Sequence, residues 1–480
     1  MKGTIMTNIS YNPDEHYRCT IIRGKAQREM DNLLPAYATI VAEICPCSKE
    51  EFTDFFNDKL SNLLFKKDFS QLNQEHQKTI RNHITEIAGK LFGLYYFDVD
   101  NTFYESPSNA KLLEDNDQPA FFKNLCLNFQ FPNGSQKIST IQERINDGIC
   151  FKPFHFIIAL LALANQSNIK LTKNEVGYYV LNSKQVLQGK ISVAQVFAEI
   201  MQDRQRKVLK TVVRDSRNWQ HIKEQFNLLL LANLVFEHDE LLLLNNKERK
   251  LIDYFIEQLA QPLKFHIFSY DLSDRQEKEQ MYADWSKYYG DIALTDASLL
   301  DTTLEALTHQ LTEATDPPIQ PQRTNTKVDK NALGEEGELY VFEFEKQRVA
   351  KTHPRLVNQV KLLASQKGIG YDISSVEAEE NLQDPEFLRM IEVKATKRIT
   401  VPDMNDDSWF DTVTLTRREW MSAKQYRSAY HIYRVYFTPT TTIIRKINDP
   451  FDKNTQGIIE VIPTHYRMDF RSIAIDGEYI

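Results

Sequence analysis

The densest chemical pattern lies toward the C-terminus, in Arg389-Met390-Ile391-Glu392-Val393-Lys394-Ala395-Thr396. Side chains alternate along a strand, so Glu392 and Lys394 share one face while Ile391, Val393 and Ala395 share the other. The apolar face suits a core, and it leaves a carboxylate beside an ammonium. Asp372 stands about twenty residues earlier, and Glu338 earlier still. Two or three carboxylates can hold a hard divalent cation, magnesium or manganese, that keeps several of its waters. Such a cation polarises a phosphoryl oxygen and lowers the pKa of a bound water. A neighbouring lysine orients that water and offsets the charge of the transition state. Asp372, Glu392 and Lys394, with Glu338 as the extra carboxylate, are therefore the candidate residues for metal-assisted phosphodiester hydrolysis. Glu-x-Lys alone also occurs in ordinary charged strands, where it makes no more than a surface ion pair.

Placing these groups requires a helix, a turn and several strands. Gly334-Glu335-Glu336-Gly337-Glu338 leads into an amphipathic helix through Leu339, Val341, Phe342 and Phe344, with Glu343 and Glu345 expected in solvent. Gln359–Ala364 is strand-like, and Gly368-Ile369-Gly370-Tyr371-Asp372-Ile373-Ser374-Ser375 is a glycine turn entering a second strand. Thr416-Arg417-Arg418-Glu419 is a capping box, in which a Thr oxygen and a Glu carboxylate reciprocally satisfy free backbone amides. It opens a helix whose Trp420, Ala423 and Tyr426–Arg427 should face the sheet. Tyr430–Tyr436 reads as a further strand.

Ahead of this region, Thr312–Lys330 carries Asp316-Pro317-Pro318 and Gln320-Pro321-Gln322 without apolar periodicity, which predicts a linker. The expected organisation is a helical region 1–150, a winged-helix-like DNA-recognition region 151–310, a linker 311–331 and a C-terminal domain 332–480. Ser48-Lys49-Glu50-Glu51 caps one amphipathic helix, and Thr79–Leu94 forms another. Residues 98–118 read as loop-rich. Phe154–Asn165 is an almost wholly apolar helix. Thr172-Lys173-Asn174-Glu175 caps a short helix after a polar turn, as in a helix-turn-helix unit. Two apolar arms flank His238-Asp239 as a hairpin, and a helix follows from Asn245. Arg204, Arg206, Lys207, Lys210, Arg214 and Arg217 form a basic stretch that could contact phosphate, or could be a solvated helix face.

The 480 residues suit two or three domains, and the net charge of -8 excludes a wholly basic nucleic-acid binder while leaving room for a local basic face. Cys19, Cys45, Cys47, Cys126 and Cys150 lack zinc-ligand spacing and read as reduced thiols. His155, His238 and His431 are scattered, as packed or surface histidines would be. The apolar runs fall short of a bilayer span, and no signal core leads the chain, so a cytoplasmic protein with no membrane partner is expected. No Gly-x4-Gly-Lys-Ser/Thr loop is present, so any ATP dependence would come from a partner.

The ordered motifs Gly-x-x-Gly-Glu, Gly-Tyr-Asp-Ile-Ser, Ile-Glu-Val-Lys-Ala-Thr, Leu-Thr-Arg-Arg-Glu-Trp and Tyr-His-Ile-Tyr-Arg-Val span roughly Ala332 to Val435. They resemble the family named for the C-terminal domain of the plant protein No Vein, and are similar to the Mrr-like branch of PD-(D/E)xK nucleases. The resemblance implies a restriction-endonuclease-like α/β domain with a central mixed sheet. It maps the family's site onto Glu338, Asp372, Glu392 and Lys394. Phe129-Gln130-Phe131-Pro132 and Lys152-Pro153-Phe154-His155-Phe156, with the helices and hairpin after them, resemble the recognition halves of type IIS restriction enzymes. The joint expectation is a magnesium-dependent restriction or defence endonuclease acting on double-stranded DNA. A homodimer would serve double-strand cleavage, and a cognate methyltransferase is a possible partner. The other expectation is a DNA-binding or partner-activated subunit that keeps the nuclease-like domain as a scaffold.

Overall fold

The computed structural model describes residues 7–10, 26–212, 217–292, 297–308, 332–363, 369–379, 384–403, 405, 409 and 411–462. The expected linker at 311–331 lies outside them, as do Cys19, Arg214, Ala364, and Gly368 of the expected glycine turn. The chain forms two compact units: Met1–Thr326 with Ala395–Val413 and Val435–Ile443, and Lys327–Lys394 with Thr414–Arg434 and Ile444–Ile480.

The first unit is mostly helical. One apolar core runs from Met30 to Leu300, so the regions expected as 1–150 and 151–310 share a single interior. Pro153–Gln166 supplies much of it, with Phe154, Ile157, Ile158 and Leu160 fully buried. Proline at its first turn loses no hydrogen bond there, because that amide is free in any helix. The expected capping boxes at Ser48 and Thr172 both form.

A three-stranded antiparallel sheet joins β1 (Leu171–Thr172), β2 (Val235–His238) and β3 (Leu241–Leu244) in the order β1-β3-β2. The hairpin turn is Asp239-Glu240, both at positive φ, one residue later than the sequence reading placed it. Residues 98–118 also differ from expectation. They hold a strand at Thr102–Glu105 and a helix at Pro107–Asp115, which the Ser106 hydroxyl caps.

The boundary expected at residue 332 is not a single cut, because Ala395–Val413 belongs to the first unit. Buried polar contacts hold this segment there. Arg398 Nη2 donates to Asn32 Oδ1 at 2.8 Å, and the Thr400 amide and hydroxyl donate to Asp31 Oδ2 at 2.8 and 2.7 Å.

The second unit is built on a five-stranded mixed sheet. Its strands are β4 (Lys361–Leu362), β5 (Ile373–Val376), β6 (Leu388–Lys397), β7 (Tyr430–Phe437) and β8 (Thr442–Asn448), in the order β8-β7-β6-β5-β4. β5 pairs antiparallel with both β6 and β4. Helix α1 (Ala332–Thr352) packs against β4 and β5. Helix α2 (Arg417–Tyr426) starts at the expected Thr416 capping box. It places Ala423 in a cluster with Met390, Tyr430 and Ile432, bordered by Tyr371, Trp420 and Tyr426. Among the described residues of the strand expected at Gln359–Ala364, only Lys361–Leu362 form β4, preceded by a 3-10 turn at Pro354–Gln359.

Glu345 is not in solvent. It is fully buried, where Ser375 Oγ and Tyr433 Oη donate to it at 2.6 and 3.0 Å and Arg348 Nη2 at 2.7 Å. Its acidity is raised despite burial by those hydrogen bonds, chiefly Arg348, and by the nearby Arg389. Glu343, by contrast, stays near the surface beside Lys346.

Candidate active site

The site grows out of the pairing between β5 and β6. The Asp372 amide donates to Ile391 O at 2.9 Å, and Asp372 Oδ2 accepts from the Val393 amide at 2.8 Å. The aspartate is therefore tied at two points to the strand that carries Glu392 and Lys394. The turn before it is equally constrained. Gly370 has φ +83°, and a Cβ there would meet Ser422 Oγ at 2.3 Å and Arg418 O at 3.0 Å. Only glycine lets the turn adopt that conformation and lie this close to α2. Ser422 Oγ donates to Ile369 O at 3.2 Å, and Tyr430 Oη to Gly370 O at 3.1 Å.

Glu392 and Lys394 share a face as their spacing requires, with Lys394 Nζ 2.6 Å from Glu392 Oε1. A second carboxylate meets the same ammonium: Glu419 Oε2 on α2 lies 3.1 Å from Nζ. That oxygen also accepts from the Thr416 amide at 2.8 Å. The sequence marked Glu419 only as part of a cap. Its contact with Lys394 was missed because a capping box explains a glutamate at that position without any tertiary partner.

The electrostatics follow from packing several acids around one lysine. Burial pushes Glu392 up to about 8, with Lys394 pulling against it and Asp372 and Glu419 adding to it. Burial pushes Glu338 up to about 7, reinforced by Asp372 and Glu335 and opposed by Lys394. Burial also holds Asp372 above the ordinary carboxylate range, against the Val393 amide and Lys394 and with Glu419 adding to it. For Lys394, burial disfavours the charge, but Glu392 and Glu419 outweigh it and hold the ammonium above its usual value. The four residues singled out from the sequence thus interact with one another within the second unit.

Oxygen donors without histidine or cysteine suit magnesium or manganese rather than zinc. Burial is the main cause of the raised carboxylate values, and a divalent cation bound there would favour the ionised forms. Among the described residues, no three His, Cys, Asp or Glu side chains stand together as a ready-made metal cluster.

The basic stretch of the first unit is partly engaged within the protein. On the helix Val193–Arg206, Arg204 Nε lies 2.7 Å from Glu175 Oε1, and its Nη2 donates to Lys170 O at 2.8 Å. Lys210 Nζ lies 2.7 Å from Glu199 and 2.9 Å from Asp203, over the Tyr179 ring. Arg206 and Lys207 are exposed at the C-terminal end of that helix. Arg217 opens the helix Arg217–Leu231, but its side chain lies outside the described residues.

A helical body followed by a mixed-sheet unit with this acid–lysine cluster is the arrangement that the comparisons with known proteins bear on. Residues 11–286 match the family described as restriction endonuclease BpuJI, N-terminal, which is more than half of the chain, and the protein belongs to that family. Residues 337–447 match the family described as protein NO VEIN, C-terminal. A solved structure of pyrene- and phenanthrene-modified DNA in complex with the BpuJ1 endonuclease binding domain is 42% identical, with a TM-score of 0.54. The match covers 58% of this chain and 100% of that one. No curated protein matches the chain. No described helix is long and apolar enough to cross a membrane.

Proposed function

We propose that this protein is a restriction or defence endonuclease that hydrolyses phosphodiester bonds of double-stranded DNA with magnesium or manganese. The observation that carries the reading is Lys394, held between Glu392 and Glu419 on the strand to which Asp372 is tied. In this reading Asp372 and Glu392 hold the cation, and Glu338 assists directly or through water. The cation supplies Lewis acidity toward a phosphoryl oxygen and a more acidic water. Lys394 places its ammonium beside the attacking oxygen and offsets charge as it builds on the phosphate.

The first unit supplies recognition, as the DNA-bound relative suggests. Residues from about Tyr11 to Leu263 bind the duplex, with winged-helix units in 151–310 placing a helix in the major groove. The basic stretch contributes phosphate contacts, with exposed Arg206 and Lys207 best placed and Arg204 and Lys210 held by internal carboxylates. With one site per chain, double-strand cleavage uses a homodimer or two successive events. A cognate methyltransferase protects host DNA, and the enzyme works in the cytoplasm against phage.

A second reading, activation by a partner or a scaffold role, draws on the absence of a ready-made metal cluster among the described residues. One experiment separates the two. Modified and unmodified phage and plasmid DNA are incubated with the native protein, Asp372→Ala and Lys394→Ala, in magnesium or chelator. Discrete fragments that require magnesium and vanish in both variants support the stand-alone enzyme. Intact DNA throughout, bound equally by all three proteins, favours the second reading.

A further inference from the structure

We infer that the groove between Ile369 and α2 seats one sugar–phosphate strand of the substrate duplex, with Arg417 and Arg418 holding its phosphates. The inference rests on the endonuclease reading and names where that site grips its substrate. The groove has a volume of about 680 Å³ and is lined by Ile369, Arg417, Arg418, Met421, Ser422, Gln425 and Tyr426. Among the described residues, its lining contains two guanidinium groups and no acid. Among the described residues, neither guanidinium has a hydrogen-bond or ion-pair partner.

Two positive side chains in the first turn of a helix oppose its dipole, whose N-terminal end favours anions. The Glu419 carboxylate of the same turn offsets part of that cost, and a polyanion in the groove would offset more. Arginine also suits the role because its planar fork donates two parallel hydrogen bonds to a phosphate. The rest of the lining fits a sugar and base. Met421 is 52% exposed, and the Tyr426 ring is braced edge-on against Tyr371 with centroids 6.1 Å apart.

The groove is joined to the chemistry by short covalent paths. Arg418 precedes Glu419, which holds Lys394, and Gly370 lies two residues before Asp372. The groove and the acid–lysine cluster thus share α2 and the turn before β5. Phosphate contacts carry no base information, so this grip is independent of sequence.

The test is equilibrium binding of the full chain to a non-specific DNA duplex, in chelator, across a salt series. It compares native protein with Arg417→Gln/Arg418→Gln and Arg417→Lys/Arg418→Lys. Each lost phosphate contact should remove about 0.9 from the slope of log affinity against log salt. The glutamine pair should therefore lower the slope by about 1.8 and weaken binding to duplexes of every sequence alike, while the lysine pair keeps most of the slope. A glutamine pair with native affinity and native slope overturns the inference, provided its thermal unfolding is unchanged. The two readings fail separately. A native protein that never cuts, with the slope still lost in the glutamine pair, removes the endonuclease and leaves the groove. Cutting and binding both unaffected by the glutamine pair removes the groove and leaves the endonuclease.

Discussion

Glu419 Oε2 lies 3.1 Å from Lys394 Nζ and 2.8 Å from the Thr416 amide, so one carboxylate oxygen both caps α2 and holds the lysine of β6. Start of helix and placement of lysine are thereby the same event. Glu419→Gln separates the two roles. Glutamine still caps at this position but carries no charge. Thermal unfolding should barely move, while the rate of DNA cleavage falls on the order of 10–100-fold, as for other groups that orient a site residue. The Lys394 ammonium should also titrate at lower pH, and a pH–rate profile would read that shift. An unchanged rate and profile would reject the positioning role.

Glu392 and Glu338 make stability depend on pH and on metal. Both are acids raised from 4.5, to about 8 and about 7. The fold therefore favours their protonated forms. That stabilisation is complete below about pH 4.5 and is lost as pH rises through the folded values. In chelator, the unfolding temperature should fall more steeply between about pH 5 and 8 for the native protein than for Glu392→Gln. Magnesium should raise it more at about pH 8.5 than at about pH 5.5, because ligating carboxylates must be ionised. Parallel curves for the two proteins, or a magnesium effect that ignores pH, would count against this account.

Breaking the Glu345 network should be costly. Replacing Glu345 with Ala leaves Arg348 and Arg389 without a carboxylate they share, and Arg389 is itself buried at 2% exposure. Removing one member of a buried ion pair typically costs about 3–5 kcal/mol. Denaturant unfolding should show a loss of that order for the second unit. A change under about 1 kcal/mol, the scale of an exposed pair, would mean that the carboxylate is solvated after all.

Gly370→Ala should damage the site more than the overall fold. The added Cβ meets Ser422 Oγ and Arg418 O, and the positive φ disfavours any side chain. The turn that delivers Asp372 must then shift away from α2. Cleavage should drop at least as far as in Glu419→Gln, while the thermal unfolding of the first unit holds. Full cleavage by Gly370→Ala would show that the turn tolerates displacement.

Much of the site was legible because it depends on short-range rules. Strand alternation alone puts Glu392 and Lys394 on one face, and they meet at 2.6 Å. The capping boxes at Ser48, Thr172 and Thr416 all form, since each is a local exchange between a side chain and an amide three residues away. The apolar helix after Pro153 and the helix bearing Glu338 follow from periodicity.

Other features depend on residues far apart in the chain, and no local pattern encodes them. Glu345 looks like a surface acid until Ser375, Arg389 and Tyr433 converge on it. Arg204 and Lys210 look free until Glu175, Glu199 and Asp203 close on them. Thr400 binds Asp31 across 369 residues, which assigns the segment Ala395–Val413 to the first unit rather than to a domain beginning at 332. The sequence by itself determined which residues could do chemistry and which strand face they occupy, because backbone geometry dictates both. Only the tertiary structure decided which charges are buried, which are neutralised and which acid holds Lys394, because desolvation and pairing depend on what packs alongside.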